Sequence, residues 1–223
     1  MCIGGTMGPQ PLMTTLERLL KGWKANRGFT ATIKWGKVSP SRYEDYKSVI
    51  DNYLGILRKS PASFRCALFN TSEFDHEKYS DGDKELTFHR MYRTQLIQMA
   101  RNTCRDDPDA QIYVRAHRRR WRHFEGIEDE INSRLRKFGI NSNPVRKVSL
   151  IPIEQSAILQ ATDICLGAVG YHKHGLYMLD GANLSKGKLC MRMAYNLEVS
   201  VLGNSFMRHG FSVWNVELGF DQN

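Results

Sequence analysis

The sequence predicts an α/β domain, a mixed sheet flanked by helices, and two observations carry that expectation. Strand-like and helix-like hydrophobic periods alternate along the chain, without a Pro/Gly/Ser-rich linker, low-complexity tract or internal repeat. The 223 residues are enough for one full core, so a single domain over 1–223 is expected.

From the start, MCIGGTM reads as an apolar strand whose glycines let another backbone approach, stopped at Gly8-Pro9. Leu12, Leu16, Leu19, Leu20 and Trp23 then recur at helical spacing. Gly28 precedes FTATIKW, where alternation sets Phe29, Ala31, Ile33 and Trp35 on one side of a predicted strand and Thr30, Thr32 and Lys34 on the other. Ser39-Pro40-Ser41 starts a helix whose stripe includes Tyr43, Tyr46, Ile50, Tyr53 and Leu57. Its tyrosines suit either base stacking or packing, and a stripe at this spacing favours packing. FRCALFN is apolar enough to be a central strand. Asp75, His76, Glu77, Asp81 and Asp83 follow, types that suit a metal, but their crowding beside an Asp-Gly turn fits a solvated loop better.

A helix is predicted over 84–103, ended by Asp106-Asp107-Pro108-Asp109, and QIYVRA follows as a short strand. Behind it lies the most basic stretch, in which Arg115, Arg118, Arg119, Arg120 and Arg122 interleave with His117, Trp121 and His123. Guanidinium forks for phosphate beside a flat ring for stacking make this a candidate nucleic-acid contact, set against the plainer reading of a solvated charge run. The pattern then gives a helix over 124–138 with Ile127, Ile131 and Leu135 inward, the strand VSLIPI, a core-facing helix, a second amphipathic helix over 186–202, and FSVWNVEL as an edge strand or an extended segment with Trp214 over the core. His172 and His174 form one His-x-His pair with no third ligand in view, which fits a basic loop better than a metal site.

A formal net charge of +9 and a pI near 9.4 favour an anionic partner, with nucleic acid, DNA or RNA, first among the candidates. Five scattered cysteines without a Cys-x-x-Cys pair read as reduced thiols. No apolar run reaches the roughly 18–20 residues that span a bilayer, and no signal-peptide pattern opens the chain, so a cytoplasmic location without a membrane partner is expected.

The most informative stretch is SAILQATDICLGAVG, from Ser156 to Gly170. Ser156 suits an N-cap, and Ile158, Leu159, Thr162, Cys165, Leu166 and Val169 recur at helical spacing. Gln160, Asp163 and Gly167 share a second, narrow face, where a carboxylate stands between an amide and a position with no side chain. Something is meant to come close there. A carboxylate on such a face is either a structural acid with a partner or a metal ligand.

The spacing Ser156-x-x-Leu159-Gln160-x-x-Asp163-x-x-x-Gly167-Ala168, with VSLIPI before it, FSVWNV after it, Ile33-Lys34-Trp35 upstream and CIGG near the start, resembles the bacterial family catalogued as domain of unknown function 3800. That resemblance covers nearly the whole chain and implies a ribonuclease-H-like mixed sheet. It implies a nucleic-acid-acting protein that, with a complete site, hydrolyses phosphodiesters through Mg2+ or Mn2+ held by several carboxylates. Asp163 is the acid that carries over, as catalytic residue and metal ligand; Lys34 joins it as a catalytic residue able to meet Asp163 or a substrate phosphate, and Gln160, Gly167 and Thr32 line the site. The family's usual first strand, bearing Asp-Glu-Ser-Gly, has no counterpart; Thr32 stands where many relatives have Glu, and Arg115 where an acid is frequent. The resemblance therefore also admits a degenerate site, and with it a non-catalytic nucleic-acid-binding or protein-interaction module.

Overall fold

Strands β1 (Cys2–Met7) and β2 (Ser63–Phe69) run antiparallel, with Gly4 opposite Cys66. A side chain at Gly4 would overlap the Arg65 carbonyl, so the close approach expected of CIGG is a fact of the β1–β2 pair. The computed structural model describes residues 1–70, 80–118 and 124–216, which fall into two units: 1–72 with 153–223, and 73–152.

The first unit holds a four-stranded mixed sheet in the order β1-β2-β6-β5. β6 (Phe211–Val216) runs parallel to β2, and β5 (Phe206–Arg208) antiparallel to β6. FSVWNV is thus an interior strand rather than an edge: the three-residue β5 covers its outer side. Trp214 does not cap the core; Phe211 and Val213 point inward and Trp214 is 51% exposed.

Helices α1 (Gln10–Asn26), α2 (Tyr43–Arg58), α5 (Ala157–Lys173) and α6 (Leu184–Leu197) pack with this sheet. Asn183 caps α6, its side chain accepting the Lys186 N–H at 3.1 Å, so the helix begins before the predicted 186; Glu198, with φ at 57°, ends it well before 202. The core joins Leu16 and Leu20 to Ile50, Tyr53, Phe64, Ile164, Cys165, Met193 and Phe211. Tyr46 and Tyr53 are buried, which settles their part of the tyrosine stripe as packing. The predicted strand FTATIKW is not a strand. It runs as an irregular extended segment into a short 3-10 turn at Trp35–Lys37.

The second unit contains α3 (Lys84–Asp106), β3 (Ile112–His117), α4 (Ile127–Arg136) and β4 (Val145–Ile151). Asp83 caps α3, accepting the N–H groups of Glu85 and Leu86. β3 and β4 form a two-stranded parallel sheet with a bulge between Ile112 and Tyr113. Its core comprises Ile97, Ala100, Ile127, Ile131, Leu135, Val145 and Val148. Asn132 fixes one strand end: its amide donates to the Val145 carbonyl at 2.9 Å and accepts the Val145 N–H at 3.1 Å. Among the described residues, no helix is long and apolar enough to cross a membrane.

Candidate functional site

The helix α5 forms as its sequence suggests. The Ser156 hydroxyl accepts the Leu159 N–H at 3.2 Å, and the body is apolar nearly all round, as suits a helix packed on several sides. Glu17 on α1 adds a second cap. Its carboxylate accepts the N–H groups of Ala157 at 2.8 Å and Ile158 at 3.1 Å and the Ser156 hydroxyl at 2.9 Å. Burial opposes ionisation there, but these donors and Lys21 outweigh it and hold the Glu17 carboxyl below its usual range.

The narrow face of α5 receives the segment Ile33-Lys34-Trp35. An extended backbone turns alternate N–H groups to the same side, and here the side takes the place of a neighbouring strand with two side chains. Gln160 Oε1 accepts the Ile33 N–H at 3.0 Å, and Asp163 Oδ2 accepts the Trp35 N–H at 2.8 Å. Gln160 also accepts Lys24 Nζ at 2.9 Å and donates to the Ile153 carbonyl at 3.1 Å, so both ends of its amide are engaged and it is 2% exposed. The intervening N–H, of Lys34, points the other way to the Tyr46 hydroxyl at 3.4 Å, which donates back to the Lys34 carbonyl at 3.0 Å. Gly167 lies under Trp35: a Cβ there would overlap the indole ring. Trp35 meets Tyr171 edge-on at 5.5 Å, and Lys186 Nζ sits 5.3 Å from the Trp35 ring centroid.

The structure therefore brings Gln160, Asp163 and Gly167 together against the segment from Ile33 to Trp35. Lys34 Nζ itself pairs with Glu154 at 3.1 Å, while Thr32 lies one residue before the held segment and is half-buried. Among the described residues, the acids a divalent cation needs are not assembled around Asp163. Its near partners are an amide, a glycine and a backbone N–H, and among the described residues no group of three His, Cys, Asp or Glu side chains could hold a metal. This donor set does not fit Mg2+ or Mn2+. Asp75, His76 and Glu77 lie outside the described residues. His172 is buried and stacked on Tyr177 at 4.7 Å, and His174 is exposed.

A different arrangement stands on β3 and β4. Alternation turns Val114, Ala116 and Val148 toward the core of their unit. The register sets Tyr113 beside Lys147 and Arg115 beside Ser149 on the opposite face, with His117 beyond and Arg146 at the bulge. Tyr113 is 59% exposed, and Arg115, Arg146 and Lys147 are exposed as well. None of these face positions is acidic. The ladder continues through the Arg118 N–H, which donates to the Ile151 carbonyl at 2.8 Å, and the exposed Arg118 side chain marks the point where Arg119, Arg120, Trp121 and Arg122 begin; those four lie outside the described residues. Sequence reasoning missed Tyr113, Arg146 and Lys147. The signal was there, because QIYVRAH and VRKVSL both alternate apolar with basic or polar side chains.

Comparison of the chain with protein-family models, with curated proteins and with solved structures found no match.

Proposed function

We propose that this protein is a nucleic-acid-binding module whose contact surface is the exposed face of the β3–β4 sheet. The observation that carries the reading is the register that lines up Tyr113, Arg115 and His117 with Lys147 and Ser149, with no acid among them. Arginine and lysine neutralise phosphates, and an exposed ring offers a base a surface to stack on. Arg118, Arg119, Arg120, Trp121 and Arg122 extend the same chemistry along the chain, and the net charge of +9 attracts polyanions at longer range.

Within this proposal, the four-stranded mixed sheet is a ribonuclease-H-like frame, as the motifs around Asp163 suggest, in which the Gln160–Asp163–Gly167 face holds the chain's own backbone instead of a metal. Binding without hydrolysis follows. The test is fluorescence anisotropy with labelled single-stranded, duplex and hybrid probes across a salt series, with Arg115→Gln, Lys147→Gln and the double variant beside the wild type. Affinity should fall steeply with salt, and each substitution should flatten the slope by roughly one unit for every phosphate it leaves unneutralised. Salt-independent binding, or equal binding by the double variant, overturns the assignment; cleavage in Mg2+ or Mn2+ overturns its non-catalytic part.

A further inference from the structure

Cys2 on β1 and Cys66 on β2 share one face of the antiparallel pair. Cys2 lies opposite Leu68 and Gly4 opposite Cys66, which sets the two cysteines diagonally across the ladder. Because the position directly facing Cys66 has no side chain, its thiol can lean along the diagonal toward Cys2, near enough for each thiol to influence the other's ionisation. Cys2 is half-buried and Cys66 is 4% exposed; all five cysteines are free.

The other three differ. Cys165 and Cys190 are wholly buried, and Cys190 donates to the Ala168 carbonyl at 3.5 Å. Burial pushes the Cys190 thiol up to about 12 and Cys165 higher still. Cys104 is buried on α3 and is likewise raised by burial. At Cys2 the neighbouring Cys66 thiol outweighs burial and lowers the thiol, while the Cys2 thiol, with burial, raises Cys66. A half-buried thiol that a small oxidant can reach, beside a buried one on the same face, is the arrangement an attacking and a resolving cysteine require.

We propose that Cys2 and Cys66 form a reversible, peroxide-responsive thiol pair, with Cys2 as the attacking sulfur. The Cys2 thiolate attacks one oxygen of hydrogen peroxide, the O–O bond breaks, a sulfenic acid forms and the other oxygen leaves as water after taking a proton. Cys66 then attacks the Cys2 sulfur, and the sulfenic oxygen leaves as a second water with the Cys66 proton. Two thiols and one peroxide become one disulfide and two waters; the sulfurs are oxidised and the peroxide reduced. A bond across this diagonal must draw β1 toward β2 near Gly4 and Gly5, and a disulfide formed under such strain is readily reduced again.

The test exposes the full chain to hydrogen peroxide, alkylates the remaining thiols and maps peptides by mass spectrometry. The expected product lacks two hydrogens, links the Cys2 and Cys66 peptides and returns to free thiols with dithiothreitol. In Cys66→Ser, Cys2 should stop at the sulfenic acid and be captured by dimedone, and in Cys2→Ser, Cys66 should stay reduced. Should Cys66→Ser fail to fold, the wild-type linkage and the half-buried Cys2→Ser variant still decide. Free Cys2 and Cys66 after exposure, or a Cys2 that reacts no faster than in the urea-unfolded chain, overturns the proposal.

Discussion

Glu17 hydrogen-bonds the Ser156 hydroxyl 139 residues further along the chain, and with the same carboxylate holds the first two N–H groups of the central helix. A helix N-terminus leaves such donors without intrahelical partners and favours negative charge, so one glutamate satisfies both needs. Glu17→Ala should cost about 1–3 kcal/mol in urea unfolding, because it leaves the Ala157 and Ile158 donors unmet at a largely buried site.

The same contact predicts a pH dependence. The folded pKa of Glu17 is lowered, so the stability it contributes is complete above the unfolded value of about 4.3 and is lost as pH falls through the folded value. Asp51, held low against burial by Arg192 and Asn196, acts in the same acid range. Glu17→Gln should therefore flatten, without abolishing, the acid limb of stability. Urea unfolding of both proteins from pH 3 to 7 checks this; parallel curves would remove Glu17 from the account.

Gly167→Ala should destabilise the protein by about 1–3 kcal/mol, since its methyl group overlaps the Trp35 ring and the packed site must move. The same change combined with Trp35→Ala should cost much less than the two single costs added together. Thermal unfolding of the double-mutant cycle measures that coupling.

Asp163 distinguishes a structural acid from a ligand. Asp163→Ala leaves the Trp35 N–H unmet and should cost about 1–3 kcal/mol, whereas Asp163→Asn keeps an acceptor and should cost about 1 kcal/mol or less. Magnesium or manganese should shift the melting temperatures of wild type and Asp163→Asn equally. A shift confined to the wild type would make Asp163 a metal ligand.

Tyr113→Ala should weaken single-stranded probes by about 1–3 kcal/mol while leaving the salt slope unchanged, because stacking releases no counterions. Anisotropy titrations at several salt concentrations separate the two effects. An altered slope with unaltered low-salt affinity would show that the ring does not stack.

What the sequence disclosed follows from how locally each feature is encoded. The Ser156 cap and the Gln160–Asp163–Gly167 face could be read because one helix repeats its own period, and the expectation of a close neighbour there holds, in Trp35. That Ile33-Lys34-Trp35 is not a strand could not be read, because alternation reports which side chains are buried and is silent on whether the backbone's partners are another strand or a glutamine and an aspartate. Glu17 gave no local sign, since the helix it caps starts far away in sequence. The edge position expected for FSVWNV failed for a related reason: Phe206–Arg208 is too short for its alternation to stand out, yet it covers the side of β6 that β2 leaves open.

The parallel pairing of Phe64 with Phe211 also sets an order of events during synthesis. The second unit occupies one continuous stretch, 73–152, and closes through nearby contacts, so it can form while the chain is still growing. The first unit cannot. β2 emerges early with one hydrogen-bonding edge unmet and waits for β6, and the apolar residues of α1 and α2 wait for α5 and α6. Until β6 leaves the ribosome, the first unit holds an open sheet edge beside uncovered leucines and tyrosines, and that interval is when the chain is most exposed to aggregation and to chaperones.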